Sequence, residues 1–134
     1  MSAILVDSNV ILDIFTEDPR WYDWSAKSLV RCADEASLAI NPIVYSEVSL
    51  RFRTIEELEE VLPRDAFHRL SLPWEAAFLA GKCFVRYRSR GGAKRSPLPD
   101  FYIGAHAAVA DMQLLTRDPG RYRTYFPKLR LVSP

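Results

Sequence analysis

Ala3-Ile-Leu-Val-Asp-Ser-Asn-Val-Ile-Leu-Asp-Ile-Phe15 decides how the rest of the chain is read. Its first four residues are apolar and unbroken, the pattern of a central parallel strand buried on both faces. Asp7-Ser-Asn9 ends that strand and supplies capping groups. Val10 to Phe15 then continues as a helix. A buried strand that runs straight into a capped helix opens an α/β layout.

The same alternation repeats downstream. Pro19 breaks the chain, and Trp21 to Ala36 reads as a helix with Trp21, Trp24, Ser25, Leu29, Cys32 and Ala33 on one face. Leu38 to Ile40 is a second strand. Asn41-Pro42 opens a helix that carries Glu47 and reaches about Phe52. Thr54-Ile-Glu-Glu57 has capping-box spacing, and Pro63 stops the helix it starts. Phe67 to Leu72 is a third strand candidate. Pro73-Trp-Glu75 begins a long helix to about Arg88. Ser89 to Pro99 is a loop with Gly91-Gly92. Asp100 to Ala110 is a small-residue helix, Asp111-Met-Gln113 a turn, and Leu114 to Thr116 a strand. Arg117 to Gly120 is a loop, Tyr122 to Phe126 a helical turn, and Leu129 to Val132 an edge strand. Strands alternating with helices predict one α/β domain over residues 1–134 with a mainly parallel sheet.

Bulk properties bound the function only loosely. The chain has 134 residues and is 49% apolar, enough for one core. It carries 18 basic and 17 acidic side chains, a net charge of +1, so only charge distribution can inform on partners. Cys32 and Cys83 lack metal-type spacing and read as buried free thiols. His68 and His106 stand alone and read as surface or packing residues. The apolar start, Met1 to Val6, is cut short by Asp7 and has no basic region before it, so no signal peptide is expected. No apolar run nears the ~18 residues of a membrane span. A cytoplasmic protein is the expectation.

The chemistry lies in where the acids fall. In an open parallel sheet, sites form at the carboxyl ends of strands. Asp7 ends the first strand, Asp118 follows Leu114 to Thr116, Asp100 opens a helix after the Pro-rich loop, and Glu47 lies in the helix after the second strand. Each has a plain reading as well: a cap for Asp7, a solvent-facing residue for Glu47, a helix opener for Asp100, a turn for Asp118-Pro-Gly120. Placed together, they repel and raise one another's pKa, and a divalent cation relieves that cost. All-oxygen ligands suit magnesium or manganese. With a phosphate as the other ligand, the expected chemistry is phosphodiester hydrolysis. Asn9 and Thr116 are candidates to orient a carboxylate or a water, with Ser8 the alternative to either. Asp13 is expected on a helical face further round and Asp111 at a helix-end surface, with holding a water of the metal the alternative for either.

Ile4-Leu-Val-Asp-Ser-Asn9 resembles the opening of the PIN-domain ribonucleases, and of the VapC-type toxins of prokaryotic toxin–antitoxin pairs in particular. Asn41-Pro-Ile-Val-Tyr-Ser-Glu47, Pro99-Asp100 followed by Ile103-Gly-Ala105, and Leu114-Leu-Thr-Arg-Asp118 match the family's further acids in order. Tyr122 or Phe126 serves as its usual following aromatic. The resemblance implies a three-layer α/β/α fold and a Mg2+- or Mn2+-dependent endoribonuclease with Asp7, Glu47, Asp100 and Asp118 at the metal, Asp118 being the position most often replaced. It also implies a growth-inhibiting toxin that cuts structured RNA such as transfer or ribosomal RNA. The implied partners are a small antitoxin, a second copy in a homodimer, and promoter DNA reached only through the antitoxin.

Lys82, Arg86, Arg88, Arg90, Lys94 and Arg95 form a basic block that abuts Asp100. A basic rim beside an acidic pocket suits RNA, whose phosphates it would bind, and Tyr87 is placed to stack on a base. The plain reading is a solvated loop. Phe15, Trp21, Tyr22 and Trp24 divide between core and an exposed partner face. Three other functions share parts of this pattern. A metal nuclease acting on DNA and a catalytically silent binding module keep the layout. A phosphate-receiving response domain wants a lysine after a later strand, where this chain has Arg117.

Overall fold

A computed structural model describes residues 3–134. Met1 and Ser2, the head of the segment read for a leader, lie outside the described residues. The element order is β1 (Ala3–Val6), α1 (Ser8–Phe15), α2 (Tyr22–Glu35), β2 (Ser37–Ile40), α3 (Pro42–Ser49), α4 (Ile55–Val61), β3 (His68–Arg69), α5 (Trp74–Ser89), α6 (Pro99–Val109), β4 (Gln113–Leu115), α7 (Gly120–Tyr125) and β5 (Leu131–Val132).

The strands form one sheet in the order β3-β2-β1-β4-β5, and every pairing is parallel. Together with the helices this is the expected three-layer α/β/α architecture. β1 is central, and Ile4, Leu5 and Val6 are buried because helices cover both faces of the sheet. The chain steps outward from β1 to β2 to β3, then crosses back to place β4 on the other flank of β1. Connections therefore diverge between β1 and β4, and a crevice opens at the carboxyl ends of those two strands. Asp7 stands at the end of one, Thr116 at the end of the other, and Asp7 N–H donates to Leu115 O across them at 2.9 Å.

Local chemistry sets the helix starts. Asp7 caps α1 by accepting from Ser8 N–H. Asn41 caps α3 through Val44 N–H, and Thr54 caps α4 through Glu57 N–H. The expected capping box is half made: Glu57 N–H donates to Thr54 Oγ1 at 3.3 Å, while the Glu57 carboxylate accepts from the Thr54 hydroxyl at 3.1 Å. α3 stops at Ser49 rather than near Phe52. β4 lies one residue earlier than read, ending at Leu115. The two edge strands shrink to two residues each, β3 within Phe67 to Leu72 and β5 within Leu129 to Val132. Very short edges present little free ladder to another chain. On α2 the buried line is Ser25, Ser28 and Cys32, while Ala33 is exposed, a quarter-turn from its expected place. Cys32 and Cys83 are buried and free.

α6 and α7 pack at close range. A Cβ at Gly104 would overlap the Phe126 ring and touch Tyr122. Glycine there lets α7 settle against α6, which carries Tyr122 into the crevice. Among the described residues no helix is long and apolar enough to cross a membrane.

Candidate metal centre

Asp7 is 3% exposed, and every hydrogen bond of its side chain comes from a donor aimed at its carboxylate. Ser8 N–H donates to Oδ1 at 2.8 Å. Oδ2 accepts from the Thr116 hydroxyl at 2.9 Å, the Tyr122 hydroxyl at 2.9 Å and Asn9 Nδ2 at 3.3 Å. Asn9 Nδ2 also reaches Thr116 Oγ1 at 3.3 Å, so the three residues close a small network. Among the described residues no cation joins it directly. The Asp7 carboxyl is raised from 3.8 to about 6: burial lifts it most, the nearby Asp100 and Glu47 add to the rise, and the Tyr122 and Thr116 bonds oppose it.

Two side chains tie the other acids to Asp7. The Ser8 hydroxyl donates to Glu47 Oε1 at 2.8 Å and lies 3.5 Å from Asp7 Oδ1. Tyr122 OH, besides its bond to Asp7, lies 3.5 Å from Asp100 Oδ1. Burial raises the Glu47 carboxyl; the Ser8 bond opposes this and Asp100 adds to it. Burial raises Asp100 too, against the Arg121 guanidinium and the Tyr122 bond. The Tyr122 phenol, buried against these anions, is held well above its ordinary value and stays neutral. Asp7, Glu47 and Asp100, from β1, α3 and α6, thus share one crevice, with Asn9 and Thr116 around the first.

Asp118 is set apart. Its N–H donates to Thr116 Oγ1 at 3.1 Å, but its carboxylate is 77% exposed and leans on Arg117 at 3.5 Å. It acts on the crevice from the rim, where its charge raises Asp100. Among the described residues, no three or more Asp, Glu, His or Cys side chains close into a ready cluster for a metal. The reason is visible in the hydrogen bonds: Tyr122 OH and the Ser8 hydroxyl stand between the carboxylates. The donor set still fits a hard divalent ion. It is all carboxylate oxygen, its three pKa values are all raised, and such ions accept few protein ligands and keep several waters.

The basic block divides. All six of its residues are exposed. The Arg88 guanidinium is taken up by the carbonyls of Gly92, Ala93 and Lys94 at 3.3, 3.4 and 3.0 Å, so it folds the loop. Arg86 and Arg90 both lie over the Tyr125 ring, at 5.6 and 5.5 Å, and Tyr125 packs on Phe101, the neighbour of Asp100. Lys82 sits over Phe78. Tyr87 stacks on Phe84 and packs edge-on to Phe101, within the protein.

Two contributors escape the sequence reading. Tyr122 stands there only as an aromatic, and the signal for its role is the hydroxyl of a fully buried tyrosine, which needs a partner. Arg121, beside it, bonds Asp100 at 3.3 Å. Asp13 lies away from the acidic crevice, as expected, but buried and paired. It is 2% exposed and held by Arg117 through Nε and Nη2, each at 3.0 Å, and by the Ser25 hydroxyl at 2.8 Å. Asp111 lies at the surface as expected. His106 is a buried packing residue against Asn41, and His68 is exposed.

No curated protein matches the chain. Solved structures match its fold over nearly the full length. VapBC2 from Rickettsia felis, bound to a DNA fragment from its promoter, has a TM-score of 0.73 at 18% identity and covers 98% of each chain. VapBC-1 from nontypeable Haemophilus influenzae has 0.73 at 16%, covering 98% of this chain and 97% of that one. A toxin–antitoxin complex from Klebsiella pneumoniae has 0.67 at 20%, covering 96% and 95%. The PIN domain family model matches residues 4–127, a span that takes in every acid of the crevice, and the chain belongs to the PIN domain family.

Proposed function

We propose that this chain is a Mg2+- or Mn2+-dependent endoribonuclease, one nuclease domain over residues 1–134, acting in the cytoplasm as the toxin of a toxin–antitoxin pair. The observation that carries the reading is the meeting of buried Asp7 with half-buried Glu47 and Asp100, with no guanidinium or ammonium of the described residues on Asp7. Asp7, Glu47 and Asp100 would hold the ion, with Asp118 reaching it from the rim through water. When bound, the ion supplies an activated water and neutralises charge at the phosphate. Thr116, Tyr122 and Asn9 aim the Asp7 carboxylate, and the Ser8 hydroxyl aims Glu47. Arg86 and Arg90, with Lys82, Lys94 and Arg95, offer the rim to backbone phosphates of a structured RNA such as transfer or ribosomal RNA.

The partners proposed are a cognate antitoxin, a second copy in a homodimer and the hetero-oligomer of the two, with promoter DNA bound through the antitoxin. The match to a VapBC complex solved with promoter DNA supports this part of the reading. The test is cleavage of total RNA and of DNA by the purified chain, with Mg2+ and with EDTA. RNA cut only with Mg2+, and lost in Asp100→Asn, is the expected result. Preference for DNA would move the substrate, and no cleavage of either would leave a silent binding module.

A further inference from the structure

Among the described residues, one guanidinium touches the carboxylates of Asp7, Glu47 and Asp100. Arg121 Nη1 lies 3.3 Å from Asp100 Oδ2, and among the described residues this is its one ion pair. Both side chains are partly open to solvent, 43% for Arg121 and 34% for Asp100. The pair is therefore weak and free to part. The contrast with the neighbouring arginine is sharp. Arg117 is clamped on Asp13 by two bonds, lies over Trp21 at 5.5 Å, and is 24% exposed. Arg117 is structural, and Arg121 is not built that way.

The place of Arg121 on α7 adds a second observation. Tyr125, one turn further along the same helix, carries Arg86 and Arg90 on its ring. The guanidinium groups of Arg86, Arg90 and Arg121 thus all belong to α7 or its Tyr125 ring, and of the three only Arg121 touches a crevice carboxylate. A cation on Asp100 would turn the attraction that holds Arg121 into competition. The side chain would then leave Asp100 for the solvent rim, where the natural ligand of a guanidinium is a phosphate.

We propose that Arg121 is a displaceable counter-ion of the acidic centre: it neutralises Asp100 when no metal is bound, and contacts an RNA backbone phosphate once a divalent cation takes Asp100. This rests on the metal-nuclease reading above. It predicts two effects of opposite sign for one substitution. Arg121→Gln binds Mn2+, followed alone by loss of the free-ion resonance signal, about two- to fivefold more tightly, the range an exposed pair can exert. The same variant binds a phosphorothioate RNA oligomer in Ca2+ more weakly. Its log K against log salt has a slope shallower by about 0.7, the mark of one lost phosphate contact on a single strand. Arg121→Lys keeps the wild-type slope and Mn2+ affinity. Wild-type Mn2+ binding with an unchanged or weakened affinity in Arg121→Gln would overturn the counter-ion role, as an unchanged salt slope would overturn the phosphate contact. Wild-type protein that binds no Mn2+ would remove the metal reading itself, together with this inference.

Discussion

Two aspartates near opposite ends of one short helix are both buried, Asp7 at its cap and Asp13 in its last turn, and the fold treats them differently. Asp13 has a full complement: a bidentate arginine, a serine hydroxyl, and a tryptophan beneath the guanidinium. Among the described residues Asp7 has only neutral donors, and two more carboxylates nearby. A buried carboxylate without a counter-ion costs stability. Arg117 shows that the fold is able to supply one in this neighbourhood: its own N–H bonds Asn9 Oδ1 at 3.1 Å, beside Asp7, yet its guanidinium goes to Asp13. The lesson is that Asp13 belongs to the scaffold, while the charge on Asp7 is left for something that arrives from outside.

That contrast can be broken in several ways. The largest effect expected is on cleavage. Asp7→Asn removes the central ligand, and Mg2+-dependent RNA cutting should fall by about 10^3-fold or more, while denaturation shows a folded protein in EDTA. Equal activity in this variant would end the distinction. Next, Arg117→Met strands the Asp13 carboxylate in the interior. It should cost about 3–5 kcal/mol by chemical denaturation. Coupling it to Asp13→Leu should recover most of that loss. A small cost for the single variant would make Asp13 as unpaired as Asp7.

The third test uses pH. The folded Asp7 carboxyl titrates near 6 and the unfolded one near 3.8, so between these values the folded chain holds the extra proton. Stability from this group is complete below about pH 4 and is lost as pH rises past 6. Without metal, stability should drop by up to about 3 kcal/mol between pH 4 and 7, since each tenfold difference in proton affinity between the folded and unfolded chain is worth about 1.4 kcal/mol. The raised carboxyls of Glu47 and Asp100 act in the same direction. Millimolar Mn2+ should flatten the profile, and Asp13→Asn should leave its slope intact. The smallest effect is for Tyr122→Phe. It removes one of three donors to Asp7 Oδ2, and should cost about 1–2 kcal/mol in EDTA, with a steeper pH profile.

Much of this molecule is legible in its amino acids. The apolar run of Ala3 to Val6, the caps at Asp7, Asn41 and Thr54, and the proline breaks each act over a few residues, so each element appears where its own side chains put it. The edge strands read longer in sequence than they are, because their ends depend on a neighbour's ladder and not on their own alternation. Of the acids, Asp7, Glu47 and Asp100 do meet, and Asp118 faces solvent because Asp118-Pro-Gly120 turns the chain outward after Thr116. Asp13 and Asp7 look alike in sequence, as do Arg117 and Arg121. Which of each pair is clamped is not legible there.

The sequence alone determined the alternation of strands and helices and the positions of acids at strand ends and helix starts, since hydrophobic period and capping are local. Only the tertiary structure decided which charges found partners. Thr116 reaches Asp7 across 109 residues and Arg117 reaches Asp13 across 104, and such bonds exist only because β4 lies beside β1. Local rules carry no information on that distance; strand order, settled by packing the whole core at once, does.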